Sequence, residues 1–402
     1  MTTIQSASDE PRTRHSGMAV AVLFFVNGMT FSNWLPRIPE VRDRLGLGNA
    51  GLGATLLGGG LGGIVGSLLV ARASERLGSK RLLVVAASAL AIGLPLIGFA
   101  PSAIVLLLVL TALGMLDVFN DVAMNAQGVT VQDRIQRSIM NRLHAMWSLG
   151  FTAGAVLGST ASAAGIGVRV HLSVVGAMLL CTVLVVQRWL ISVDPPHEVA
   201  SKATAHVDRS AGRFSVVVVV AMALAALAAA ALEVTPNDWA AVMLRDVFDA
   251  GKVSGFGTVA CAGAMLVGRL GGDHVLDRVG ERRLLVGALS LVGAGSLITI
   301  IAPVTAIALV GLVVWGLGLS VVFPQLYATA ARLPGTSAGA GLGSMLLGQR
   351  MGGMLTAVSV GALAEWRDLR VAFAVVSATA LLILTLTIRR MTATTAAGTS
   401  TS

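Results

Sequence analysis

Long apolar runs broken by short polar turns fill most of the 402 residues. A helix needs roughly 20 apolar residues to cross a bilayer. Twelve runs meet that requirement, near 18–35, 51–71, 82–99, 103–124, 143–163, 171–191, 214–236, 255–272, 284–301, 305–328, 338–362 and 371–388. The longest polar interval between them, 192–213, holds Asp194-Pro195-Pro196 and Arg213 and separates the spans into two sixes. The pattern predicts an all-α membrane protein with an N-terminal half (1–191), a central linker (192–213), a C-terminal half (214–390) and a disordered Ala/Thr/Ser tail (391–402).

Composition agrees. Apolar residues make up 55% of the chain and charged residues 12%, with a mean hydropathy of +0.82; a soluble domain carries about 25% charge. The net charge of +9 is carried mostly by Arg. Counted by turn, 20 Lys and Arg fall on the side of the termini and eight on the other, with Arg350 inside a span. Positive charge is retained on the cytoplasmic side, so both termini are expected there. No basic patch on a polar domain points to nucleic acid. Cys181 and Cys261 lie in apolar runs and read as packing residues. No nucleotide loop, metal-ligand cluster or nucleophile with a base is visible, which argues against an enzyme and against a bound cofactor. The first apolar run is long enough to span, and no cleavable leader is expected before it.

The chain also repeats itself. Glu75-Arg76-Leu77-Gly78-Ser79-Lys80-Arg81, followed by Leu82-Leu83-Val84, returns 202 residues later as Asp277-Arg278-Val279-Gly280-Glu281-Arg282-Arg283, followed by Leu284-Leu285-Val286. Gly51-Leu52-Gly53 answers Gly255-Phe256-Gly257, Trp34 answers Trp239, and Phe119-Asn120-Asp121 answers Phe323-Pro324-Gln325. Matches in one order at offsets of 202 to 205 indicate internal duplication.

These features resemble the major facilitator superfamily, whose loop motif between spans 2 and 3 has the form G-x-x-x-D-R-x-G-R-[RK]. Here Ala71 and Glu75 stand for the Gly and Asp, with Arg76, Gly78, Lys80 and Arg81 in place. The resemblance implies two six-helix halves rocking around a central site, with spans 1, 4, 7 and 10 lining it. It also implies that Glu75, Arg76, Gly78 and Arg81 form a latch between the halves in the outward-facing state, with Asp277, Arg278 and Gly280 as its copy. Among branches, Phe25-x-Asn27-Gly28 with Trp34, and Glu233 with Asp238-Trp239, look most like the drug:proton antiporter side and its bacterial relatives. The antiporter signature on span 5 is met by Gly150, Gly154 and Gly158, with Ala155 and Ser159 replacing its Pro and last Gly.

Charge inside a membrane is costly, so an intramembrane ionisable residue marks function by default. Four stand out: Asp117, Asp121, Glu233 and Arg350. Asp117 and Asp121 are four apart and share a helix face, continued by Asn125 with Asn120 on its flank. At 1.5 Å per residue, Asp117 lies about 21 Å into a core of roughly 30 Å. Two close carboxylates do not both ionise easily in low dielectric, which suits a proton carrier. Glu233 precedes Pro236, which is expected to break or kink span 7. Arg350 stays charged and needs a partner, with Glu233 the first choice and Asp117 the second. His144, at the start of span 5, is a possible relay. Asn27, Gln325, Trp34, Trp239 and Trp315 are cavity-lining candidates, each Trp equally an interfacial anchor. Arg37 and Glu40 flank Pro36 and Pro39 and are expected to fix that turn. Glycines four apart (58, 62, 66; 150, 154, 158; 348, 352) are expected to form seams between the halves.

The leading expectation is a monomeric, proton-coupled antiporter of the bacterial inner membrane, exporting small amphipathic or cationic compounds. A proton symporter of a sugar or other polar metabolite, served by Asn27, Asn120, Asn125 and Gln325, is the first alternative. A non-transporting membrane sensor is the second.

Overall fold

The computed structural model describes residues 9–192, 216–331 and 338–399, and the linker expected at 192–213 lies almost wholly outside them. Every regular element among the described residues is helical, as an unbroken supply of apolar side chains demands: in lipid a spanning helix satisfies its own backbone hydrogen bonds. In chain order these are α1 (Asp9–Ser32), a short α2 (Ile38–Arg44), α3 (Asn49–Phe99), α4 (Ala103–Ile135), α5 (Met140–Ala163), α6 (Val168–Val186), α7 (Val216–Asp246), α8 (Phe256–Val279), α9 (Glu281–Ile301), α10 (Thr305–Leu319), α11 (Val322–Ala331), α12 (Ala338–Trp366) and α13 (Leu369–Thr399).

Nine stretches among the described residues are long and apolar enough to cross a membrane on their own. One of them, α3, is two spans joined at Gly78. With α5 and α12, whose apolar residues are diluted by polar and glycine positions, the twelve-span arrangement is complete.

The repeat is written into the backbone. Gly78 (φ 69°, ψ 162°) separates the arms of α3, and Gly280 (φ 79°, ψ 160°) separates α8 from α9. Both lie at positive φ, where a Cβ is strained, so the motif's glycine makes the same corner twice. The corner of the first copy is tied down locally. Lys80 Nζ donates to Leu190 O at 3.0 Å, and the fully buried Gln127 donates to Ser79 Oγ at 2.8 Å and Ile191 O at 2.9 Å.

Three elements differ from expectation. α7 continues unbroken through Pro236 to Asp246, so Glu233 sits well inside a helix and not at a broken end. The tenth span is two pieces, α10 and α11, separated at Ser320-Val321. Pro324 has no N–H to give to Ser320 O and its ring crowds that carbonyl, which favours starting a new helix there. Residues 391–399, read as an irregular tail, extend α13, alanine being a strong helix former.

Each half packs within itself through glycine. Within the N-terminal half a Cβ on Gly58, Gly62 or Gly66 would fall 2.4, 1.9 and 2.8 Å from the carbonyl oxygens of Leu107, Thr111 and Met115 on α4. Gly150 faces Phe25 O on α1 and Gly158 faces Asn33 O just past its end, and Gly348 and Gly352 face Ala223 O and Leu227 O on α7. These stripes, expected between the halves, are intra-half seams. The halves meet instead where the first arm of α3 lies on α12 and where α5 lies on α8.

Candidate functional site

The halves touch at the end of the molecule carrying α2. There Arg42, on α2, reaches Asp246 of α7 (Nη2 to Oδ1, 2.8 Å), and Arg245 of α7 reaches Asp43 of α2 (2.8 Å). Arg42-Asp43 and Arg245-Asp246 are one dipeptide at an offset of 203, so the two cross-half pairs are reciprocal. Beside them, Glu365 of α12 accepts from the backbone N–H of Asn49 at 2.8 Å, capping α3 across the interface. A carboxylate is favourable at a helix N-terminus. The close approach continues inward: a Cβ on Gly53 would lie 2.3 Å from Ala357 O. At the opposite end, no ion pair among the described residues joins Glu75, Arg76, Arg81, Asp277 or Arg278 to the other half. The molecule is therefore closed at the Arg42 end and unlatched at the Gly78 end.

The turn after α1 is rigid, as expected of Arg37 and Glu40. Arg37, completely buried, donates to Glu40 (3.0 and 2.6 Å) and to Ile166 O (2.5 Å), and Ser162 Oγ donates to the same Glu40 at 2.5 Å.

Below this closure the predicted charges come together in two groups. In the first, Asn27 of α1 donates its amide N–H to Asp117 Oδ1 at 3.1 Å, and the Trp147 indole N–H of α5 donates to Asn27 Oδ1 at 2.7 Å. One turn on, Asn125 donates to Asp121 Oδ1 at 3.0 Å. Arg350 of α12 crosses the interface: a Cβ on Gly63 would lie 2.2 Å from its Nη1, and its charge attracts both Asp117 and Asp121. The absence of a side chain at Gly63 makes room for the guanidinium.

The second group corrects an expectation. Glu233 pairs not with Arg350 but with Arg269 of α8, at 3.8 Å, and Arg269 Nη1 also donates to Ser148 Oγ of α5 at 3.0 Å. Glu233, Arg269, Ser148, Asn237, Trp147 and Phe151 line one small pocket, joined by apolar residues of α8. The Trp147 and Phe151 rings are 5.4 Å apart, and Asn237 Oδ1 is buried with no hydrogen-bond partner. Tyr327 of α11 bridges the groups electrostatically, feeling Asp121, Glu233 and Arg350, while its hydroxyl meets Gln349 at 3.4 Å.

Other predicted residues lie elsewhere. Trp34, Trp239 and Trp315 are buried in the packed core, Trp315 edge-on to Phe373. Asn120 and Gln325 are also buried. His144 packs edge-on against Phe24 and feels the charge of Arg269. Arg269, Trp147, Ser148 and Asn237 were not singled out by sequence. Arg269 reads there as one more basic residue at the end of a span, and only the fold turns it inward. The reciprocal Arg-Asp dipeptides did carry a signal, since they stand in register with the repeat.

Two six-helix halves, related by internal duplication and closed over a charged centre at one end, define a secondary-transporter fold. The sequence model of the Major Facilitator Superfamily matches residues 20–345 and 253–400, and the chain belongs to that family. It is a multi-pass membrane transporter and not an enzyme. It is 29% identical over 371 residues to an uncharacterised transporter of Sinorhizobium fredii, covering 91% of this chain and 96% of that one. It is 27% identical to an uncharacterised MFS-type transporter of Yersinia pestis (92% and 93% covered), and 29% identical to the membrane protein MosC of Rhizobium meliloti (81% and 77%). Among solved structures it is similar in fold to the nucleoside transporter NupG (TM-score 0.71, 13% identity, 93% and 98% covered). It is likewise similar to a bacterial homologue of the lysosomal transporter Spinster in an inward-facing, occupied conformation (TM-score 0.70, 15%, 94% and 97%).

Proposed function

We propose that the protein is a proton-coupled secondary transporter of the bacterial inner membrane that works by alternating access, described here in an inward-facing state. The inward assignment follows from the Lys/Arg excess on the Gly78 side and from closure at the other end. The observation that carries proton coupling is a charge imbalance between the halves. Four carboxylates buried in the spans (Asp117, Asp121, Glu233 and Asp238) stand against two guanidiniums (Arg269 and Arg350). Closing the cavity around an unpaired carboxylate is costly, and taking up a proton removes the cost. Asp117 is the carrier, Asp121 its neighbour, and Arg350 the charge that holds the deprotonated form.

The same arrangement favours a neutral, polar substrate over a lipophilic cation. The pocket's own carboxylate, Glu233, is already opposed by Arg269, while Asp117 and Asp121 share Arg350. The small pocket offers Asn237 Oδ1 as an open acceptor, Ser148 as a hydroxyl, and Trp147 with Phe151 as an apolar wall. Hydroxylated metabolites fit that mixture.

The test uses proteoliposomes enclosing a pH-sensitive dye. Sugars, other polyols and lipophilic cations are added to wild type, Asp117→Asn and Glu233→Gln. The reading expects protons to move with a hydroxylated compound, and Asp117→Asn to abolish that movement. Proton efflux driven by a lipophilic cation would replace symport with drug antiport. Transport of any compound without proton movement would end the coupling reading.

A further inference from the structure

Trp147 belongs to both charged groups. Its ring lines the pocket with Glu233 and Arg269, while its N–H bonds to Asn27, which bonds to Asp117. The chemistry of this chain is one-way. An indole nitrogen only donates, so the Asn27 atom it meets must be the carbonyl oxygen. With Oδ1 held there, the amide NH₂ is the group turned to Asp117, and it too only donates. An amide is otherwise free to present either end.

We infer that Trp147 is a positioning residue for the proton site: by holding the Asn27 oxygen it commits Asn27 to donate to Asp117, and a substrate group that displaces the indole releases the amide to turn over. Turned over, Asn27 offers its oxygen to the O–H of a protonated Asp117 and withdraws its donor from the carboxylate. Occupancy of the pocket is thereby signalled to Asp117, with no contact between substrate and carboxylate. The proton itself is exchanged with water in the opening between the halves. The groups around Asp117 are Asp121 on its own helix, Arg350 from α12 and Asn27 from α1. The Glu233–Arg269 pair shares its pocket with the Trp147 ring. Nothing in this relay requires Trp147 to titrate. Its only contribution is a fixed donor, which Phe lacks while keeping a ring against Phe151.

The inference rests on Asp117 as the proton carrier, and its test separates the two ideas without a known substrate. The full-length protein in liposomes is titrated by infrared difference spectroscopy, following the protonated-carboxyl band. A band lost in Asp117→Asn identifies the carrier. Trp147→Phe is then expected to move the midpoint of that band by about one pH unit, a tenfold change in proton affinity, as loss of one hydrogen bond to a charged group implies. Asn27→Ala should move it comparably, and the double variant no further than Asn27→Ala alone, because both substitutions cut one chain. A wild-type midpoint in Trp147→Phe, or additive shifts in the double variant, overturns the relay and leaves the carrier standing. If no titrating band is lost in Asp117→Asn, the carrier reading falls and takes the relay with it.

Discussion

Arg269 shows how far one residue's role depends on its partners. It satisfies Glu233 and Ser148 together, from opposite halves of the molecule. Arg269→Ala leaves Glu233 without a cationic partner in the pocket, and with both side chains about a quarter exposed (27% and 22%) the expected loss is about 1–2 kcal/mol, the lower part of the range for a lost charged partner. Thermal unfolding should show Glu233→Gln recovering part of that loss on the Arg269→Ala background, and simple additivity would argue that the two are uncoupled. Arg37 is the stricter case. It is fully buried against Glu40, and Glu40→Ala strands its charge, at an expected cost of about 3 kcal/mol. A lowered melting temperature, without a change in which end is open, is the expected signature.

At the scale of elements, glycine carries two different jobs that look alike in sequence. Gly62 and Gly53 are both on the first arm of α3, and both would place a Cβ against a carbonyl oxygen, at 1.9 and 2.3 Å. Gly62 faces Thr111 within its own half, so Gly62→Ala should lower stability by about 1–3 kcal/mol through overpacking. Gly53 faces Ala357 of the other half, so Gly53→Ala should strain only the closed Arg42 end. Spin-label distances across that end should lengthen in Gly53→Ala while its melting temperature stays near wild type, and the reverse is expected of Gly62→Ala. The four-residue spacing was legible in the chain, but a stripe of small residues says that a helix is approached closely, not by which neighbour. α7 teaches a related lesson. A proline after an apolar run suggested a broken helix, yet tertiary packing carries the helix through Pro236, because one lost hydrogen bond is small beside the burial of a 31-residue element.

For the whole molecule, the Arg42–Asp246 and Asp43–Arg245 pairs must part if the Arg42 end is to open. Exposed ion pairs are worth about 0.2–1 kcal/mol each, so two amount to roughly 1 kcal/mol, or about fivefold in population. Arg42→Ala with Arg245→Ala should raise the fraction open at that end by about that factor, and salt near 1 M should mimic it by screening. Swapping the charges, Arg42→Asp with Asp246→Arg, should restore closure, and spin-label distances in all variants check the set. No ion pair among the described residues joins Glu75 or Asp277 to the other half while the Arg42 end is shut.

By itself the sequence determined the twelve spans, their grouping in two halves, the duplicated corner with its obligatory glycine, and the rare charges. These follow from local rules: hydrocarbon thickness sets the length of an apolar run, positive φ selects glycine, and a charge in lipid must have a use. Only the tertiary structure decided the pairing, giving Glu233 to Arg269, setting Arg350 over Gly63, and turning the glycine stripes inward within each half. Side-chain partners are set by helix rotation and by the meeting of separate helices far apart along the chain, and no periodicity along the chain encodes which of several buried charges those rotations bring face to face.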